Sequence, residues 1–112
     1  MNIEFGNNRL AKQMGSATEI KKAFGLMAFK VAQRLQEIRD APNLSILMEI
    51  PAAGCHPLKG NKEGDWALTI SVNHRMVFIV VQNPLPRKEN NELDLELITN
   101  IRILRTEDYH KR

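Results

Sequence analysis

Seven apolar residues, Ala17, Ile20, Phe24, Met27, Val31, Leu35 and Ile38, recur at steps of three and four positions. That spacing puts them on one face of an α-helix and predicts a helix from Ala17 to Asp40. A stripe of this kind must be covered by another part of the fold. Ser16-Ala17-Thr18-Glu19 has the form of a capping box, with Ser at the N-cap and Glu at N3, and Ala41-Pro42 ends the helix. Lys21, Lys22, Lys30, Gln33, Arg34, Gln36, Glu37 and Arg39 are assigned to the other faces. Gly25 costs about 1 kcal/mol relative to Ala in mid-helix. It is expected to allow close packing against a shorter first helix, which Asn7 or Asn8 caps and Gly15 ends after Met14.

The remainder reads as strands. Asn2 to Phe5 alternates polar and apolar residues, as a short opening strand does. Asn43 to Ala53 reads as a helical turn followed by a loop, and a short strand is expected near Cys55. Trp66 to Val72 alternates with period two, Asn73-His74 suits a tight turn, and Met76 to Gln82 is a β-branched run expected at the centre of a sheet. Gly60 to Gly64 and Asn83 to Asn91 read as loops, and Leu93 to Leu104 as a last strand. Helices first and strands after predict an α+β fold, with two N-terminal helices packed on a mostly antiparallel sheet. With no internal repeat, the 112 residues are expected to form a single domain, 1–112.

The net charge of +3 and sequence pI near 9.2 favour an anionic partner without proving one. Cys55 is the only cysteine, which suits a reducing compartment. One Cys and three His at scattered positions make no zinc signature, so neither a metal nor another cofactor is expected. No signal peptide and no apolar run of membrane-spanning length is visible, so a cytoplasmic location off the membrane is expected.

Four residues carry chemistry in an ordered arrangement. They are His56 and Lys59 in Cys55-His56-Pro57-Leu58-Lys59-Gly60, Arg75 in His74-Arg75-Met76-Val77-Phe78, and His110 after Glu107-Asp108-Tyr109. RNA cleavage without a metal uses these residue types. One group takes a proton from a 2′-hydroxyl, one gives a proton to the leaving oxygen, and cations hold the phosphate. Each also has a plainer reading. His56 before a proline fits a structural or surface histidine, and Lys59 beside Gly60 a turn lysine. Arg75 fits a partner for a carboxylate such as Asp65, and His110 a frayed chain end. Cys55 reads as a small buried strand residue rather than a nucleophile, and Trp66 and Phe78 as core.

In this order the pieces resemble the HigB toxins of the RelE/ParE toxin–antitoxin superfamily. The similar parts are His56 to Gly60, the strand Trp66 to Val72, His74-Arg75-Met76-Val77-Phe78 and the ending Asp108-Tyr109-His110, behind a helical N-terminal region. The resemblance implies a RelE/ParE-like sheet packed on two helices. It also implies ribosome-dependent mRNA cleavage and neutralisation by a HigA-type helix-turn-helix antitoxin. Carried over residue by residue, it puts the catalytic positions on His56, Lys59, Arg75 and His110. Read from the residues themselves, Lys59, Lys62, Arg75 and Tyr109 are the expected RNA contacts, with Tyr109 stacking on a base; Lys21, Lys22 and Lys30 fit either ribosomal RNA phosphates or a solvated helix face. Lys111 and Arg112 follow His110, where related chains often stop at or near the histidine. Two other readings stay open: a ParE-like toxin that binds gyrase without a ribonuclease site, and a decayed toxin that keeps only antitoxin binding. The sequence leaves oligomeric state and codon preference undetermined.

Overall fold

The computed structural model describes residues 1–59 and 64–109. Strand β1 (Asn2–Phe5) leads into helices α1 (Asn8–Gln13), α2 (Ala17–Phe24), α3 (Ala28–Asp40) and α4 (Leu44–Met48). Strands β2 (His56–Pro57), β3 (Asp65–Thr69), β4 (His74–Val80) and β5 (Asn100–Asp108) follow. Among the described residues the sheet has five strands in the order β1-β5-β4-β3-β2. The pairing of β1 with β5 is parallel and the others are antiparallel, so the α+β, mostly antiparallel expectation holds and β4 is central. No helix among the described residues is long and apolar enough to cross a membrane.

Short polar side chains start α1, α2 and α4. Asn7 Oδ1 accepts from Leu10 N at 2.8 Å, Ser16 Oγ from Glu19 N at 3.1 Å, and Asn43 Oδ1 from Ile46 N at 2.9 Å. Each bond satisfies one N–H that the first helical turn leaves without a partner.

The expected single helix from Ala17 to Asp40 is broken. Gly25 has φ 54 and ψ −119, the α2 C-cap lies there, and a 3-10 turn, Gly25–Met27, separates α2 from α3. No atom lies within 4 Å of where a Cβ on Gly25 would sit. The glycine therefore serves the backbone angle and not the close packing expected of it.

Arg34 also departs from its assignment to a polar face. It is 2% exposed. Its Nε donates to Thr69 O at 2.6 Å, its Nη2 to Ala52 O at 2.8 Å, and its Nη1 to Glu37 Oε1 at 2.9 Å. One guanidinium thus ties α3 to the end of β3 and to the segment before β2, with its charge met by a carboxylate.

The core lies between the helices and one face of the sheet. Val31, Leu35 and Ile38 of α3 cluster with Trp66, Leu68, Met76, Phe78, Ile101 and Ile103. Trp66 and Phe78 are register partners, and their rings stack with centroids 6.1 Å apart, so both are core as expected. The last strand starts later than expected: Leu95–Leu97 form a 3-10 turn and β5 begins at Asn100.

A bulge in β5 decides what the other face carries. Val77 pairs with Arg105 and Phe78 with Ile103, so Leu104 is an extra residue opposite β4. Side chains alternate along a regular strand, so Ile101, Ile103, Arg105 and Glu107 would otherwise share one face. The extra residue shifts the alternation. Ile101 and Ile103 face the helices, while Arg105 and Glu107 share the outer face with Val77 and Arg75.

Candidate functional site

The outer face of the sheet gathers much of the chemistry marked in the sequence. Thr69, Arg75 and Glu107 form one rung across β3, β4 and β5, and His56, Ala67, Val77 and Arg105 form the next. His56 and Arg75 therefore lie on the same face, two strands and one rung apart. With strands about 4.8 Å apart and about 3.4 Å rise per residue, their Cα atoms are about 12 Å from each other.

His56 owes its place to Gly54. That glycine is left-handed, with φ 55 and ψ 35, and a Cβ on it would meet Thr69 Oγ1 at 2.7 Å. The turn carries the chain from Pro51–Ala53 into β2, where His56 is exposed. His56 Nδ1 lies 2.8 Å from Gly54 O. A carbonyl only accepts, so Nδ1 carries the proton, and in the neutral ring Nε2 keeps its lone pair. Lys59 follows as an exposed residue, and Leu58 N donates to Asp65 O at 2.8 Å just before it.

Arg75 is half-buried and does not pair with Asp65. Its Nε donates to Glu107 Oε2 at 2.8 Å and its Nη2 lies 2.6 Å from the same oxygen. The other carboxylate oxygen of Glu107 accepts from Arg105 Nε at 2.7 Å. Asp65 instead faces Arg105 Nη2 at 3.6 Å, a nitrogen that is buried and without a hydrogen bond among the described residues. Burial alone would raise the pKa of Glu107. The hydrogen bonds and charges of Arg105 and Arg75 outweigh it and hold the carboxyl below its usual range. The result is an alternating row of carboxylates and guanidiniums, Asp65, Arg105, Glu107, Arg75, running across the sheet.

Tyr109 closes this row. Its ring lies 4.7 Å from the Arg75 guanidinium carbon, a cation–π contact. Its N–H donates to Asn73 O at 3.0 Å and its hydroxyl to Val72 O at 3.1 Å, so the end of β5 is fastened to the β3–β4 turn. His74, at the other side of that turn, is bonded to Ser71 Oγ at 3.2 Å and lies 3.9 Å from Asp108. Cys55 is buried, and burial pushes its thiol up to about 12, which fits a structural cysteine.

Of the sequence-marked residues, Arg75 and Tyr109 are in contact, His56 shares the face of Arg75, and Lys59 is exposed just after β2. His110 and Lys62 lie outside the described residues. The sequence reading missed Glu107 and Arg105 as members of the site. Their i, i+2 spacing on a β-prone run was the available signal, but the bulge that turns them outward leaves no mark in residue types. No group of three or more His, Cys, Asp and Glu among the described residues is placed to hold a metal ion.

No protein-family model matches the chain, and no curated protein matches it. Among solved structures it is similar to a YoeB/ParE toxin from Agrobacterium tumefaciens, with a TM-score of 0.50 and 15% sequence identity over 96% of this chain and 98% of that one. At that identity the likeness establishes the fold, which is of the RelE/ParE type.

Proposed function

We propose that this chain is the toxin of a type II toxin–antitoxin system, a single domain spanning 1–112. In this reading it is a HigB-type endoribonuclease that cuts mRNA on the ribosome in the cytoplasm and is held inactive by a HigA-type helix-turn-helix antitoxin. The observation that carries this reading is the outer sheet face, where Arg75 lies under the Tyr109 ring on the face shared with His56. Such a face suits an extended single strand. A base can stack at Tyr109 and its phosphate can meet Arg75 and Lys59.

His56 suits the general base, because Nδ1 is held by Gly54 and the Nε2 lone pair is left to take the 2′-hydroxyl proton. The 2′-oxygen then attacks phosphorus, the bond to the 5′-oxygen breaks, and His110 supplies the proton that the leaving oxygen needs. The products are a 2′,3′-cyclic phosphate and a 5′-hydroxyl. Arg75 and Lys59 stabilise the charge that builds on the phosphorane. About 12 Å between the His56 and Arg75 Cα atoms leaves room for one ribose-phosphate unit between the side chains.

One observation favours a second reading. Arg75 is already clasped by Glu107, as a purely structural ion pair would be. The chain would then act by binding, as a gyrase-directed toxin does. Brief induction followed by primer extension on cellular mRNA separates the two. Cuts within translated codons that vanish in Arg75→Ala support the ribonuclease. A DNA-damage response without cuts supports the binder.

A further inference from the structure

Arg75 is held on two sides before any substrate arrives. Its Nε and Nη2 both meet Glu107 Oε2, at 2.8 and 2.6 Å. Those two nitrogens form the side edge of the guanidinium, so that edge of the plane is taken. The Tyr109 ring covers one face at 4.7 Å. The end of the fork is made by Nη1 and the second N–H of Nη2. Among the described residues Nη1 has no hydrogen bond. Pairing with Glu107 and gripping an anion are therefore compatible, because they use different edges of one plane.

Glu107 is itself fixed. Its other oxygen accepts from Arg105 Nε at 2.7 Å, and Arg105 Nη2 lies 3.6 Å from Asp65. A swing of Glu107 away from Arg75 would break its bond to Arg105 as well. Charges alternate along the row Asp65, Arg105, Glu107, Arg75, and the cation at its end carries the unoccupied donors. A guanidinium held on one edge and one face has little rotamer freedom left to lose, so its remaining donors are aimed in advance.

We propose that Glu107 is a positioning residue. It fixes the side edge of Arg75, so that the Nη1–Nη2 end grips two oxygens of a phosphodiester while the clasp stays closed. The kinetic consequence rests on the ribonuclease reading, whereas the binding geometry is tested without any cutting.

The binding test uses the whole 15N-labelled chain and a 2′-O-methyl RNA trinucleotide, whose blocked 2′-oxygens have no proton to give up. Arg75 guanidinium signals are assigned by their loss in Arg75→Lys. The trinucleotide should shift the Nη1 signals and leave Nε–H in place. Movement of Nε–H to the position of a solvated arginine would overturn the proposal, since phosphate would then displace Glu107. Nη1 signals that ignore the trinucleotide would overturn it too. The kinetic test uses ribosomes programmed with a defined mRNA. Folded Glu107→Ala should slow single-turnover cutting about tenfold or more and leave the half-saturating ribosome concentration within about threefold. Glu107→Asp, which keeps the carboxylate, should recover part of the rate. With one phosphorothioate at the scissile position, wild type should favour one diastereomer and Glu107→Ala should lose that preference, which a merely structural role would not change. Equal or faster cutting by Glu107→Ala would overturn the proposal. Intact mRNA with wild type would overturn the ribonuclease reading instead, and the trinucleotide result would still decide the role of Glu107.

Discussion

Replacing Gly25 with alanine distinguishes a broken helix from a continuous one by the sign of a stability change. At φ 54 and ψ −119 the backbone is in a region that L-residues rarely adopt, and forcing one there costs about 1–3 kcal/mol. No neighbour lies within 4 Å of the added Cβ, so neither a clash nor new packing alters that figure. In an uninterrupted helix the same change would stabilise by about 1 kcal/mol. Urea titration followed by far-ultraviolet circular dichroism reads the difference. With a slope of about 1–3 kcal/mol per molar urea, a loss of about 2 kcal/mol lowers the midpoint by about 1 M. The slope itself should not change. D-alanine, introduced by chemical ligation, is at ease with positive φ and should leave the midpoint near that of the glycine protein. A midpoint for the L-alanine variant equal to or above wild type would refute the break.

Arg34→Met strips donors from Thr69 O, Ala52 O and Glu37 at once. A loss of about 3–5 kcal/mol is expected by denaturant titration, and a loss under about 1 kcal/mol would contradict the bridging role. Glu107 is held below its usual range, so its ionised form is favoured by folding. Its stabilisation is complete above the unfolded carboxylate pKa and is lost as pH falls through the lower folded value. The stability gap between wild type and Glu107→Gln should therefore be widest near neutrality and close on the acid side, and a gap independent of pH would count against the pairing. Cys55, buried with its thiol pushed up to about 12, should resist Ellman's reagent at pH 8 in the native protein and react on unfolding. Rapid native labelling would show that the site is more open than described.

The parts of the fold that were legible in the sequence are those fixed by neighbours in the chain. Asn7, Ser16 and Asn43 mark helix starts through side chains that reach N–H groups three residues on. The alternation in Trp66 to Val72 placed Trp66 and Leu68 in the core. What escaped depends on tertiary geometry. The helical period runs through Gly25 because side-chain spacing carries no record of φ. Arg34 looks like a solvated cation until Thr69 and Ala52 are brought beside it from far along the chain. Arg75 was offered Asp65, a plausible carboxylate in sequence. Its partner is Glu107, because β4 pairs with β5 in a register that the Leu104 bulge sets. For the site, the sequence supplied the residues Arg75, Tyr109 and His56, while their shared face comes from the strand register. It could not supply the Glu107–Arg105 pair that holds Arg75.

The ribonuclease reading is tested most directly by the RNA ends that the purified chain leaves on ribosomes programmed with a defined mRNA. Cuts within the A-site codon, carrying a 2′,3′-cyclic phosphate upstream and a 5′-hydroxyl downstream, are expected from wild type and not from folded Arg75→Ala. Intact mRNA with the wild-type chain, or undiminished cutting by Arg75→Ala, would contradict it.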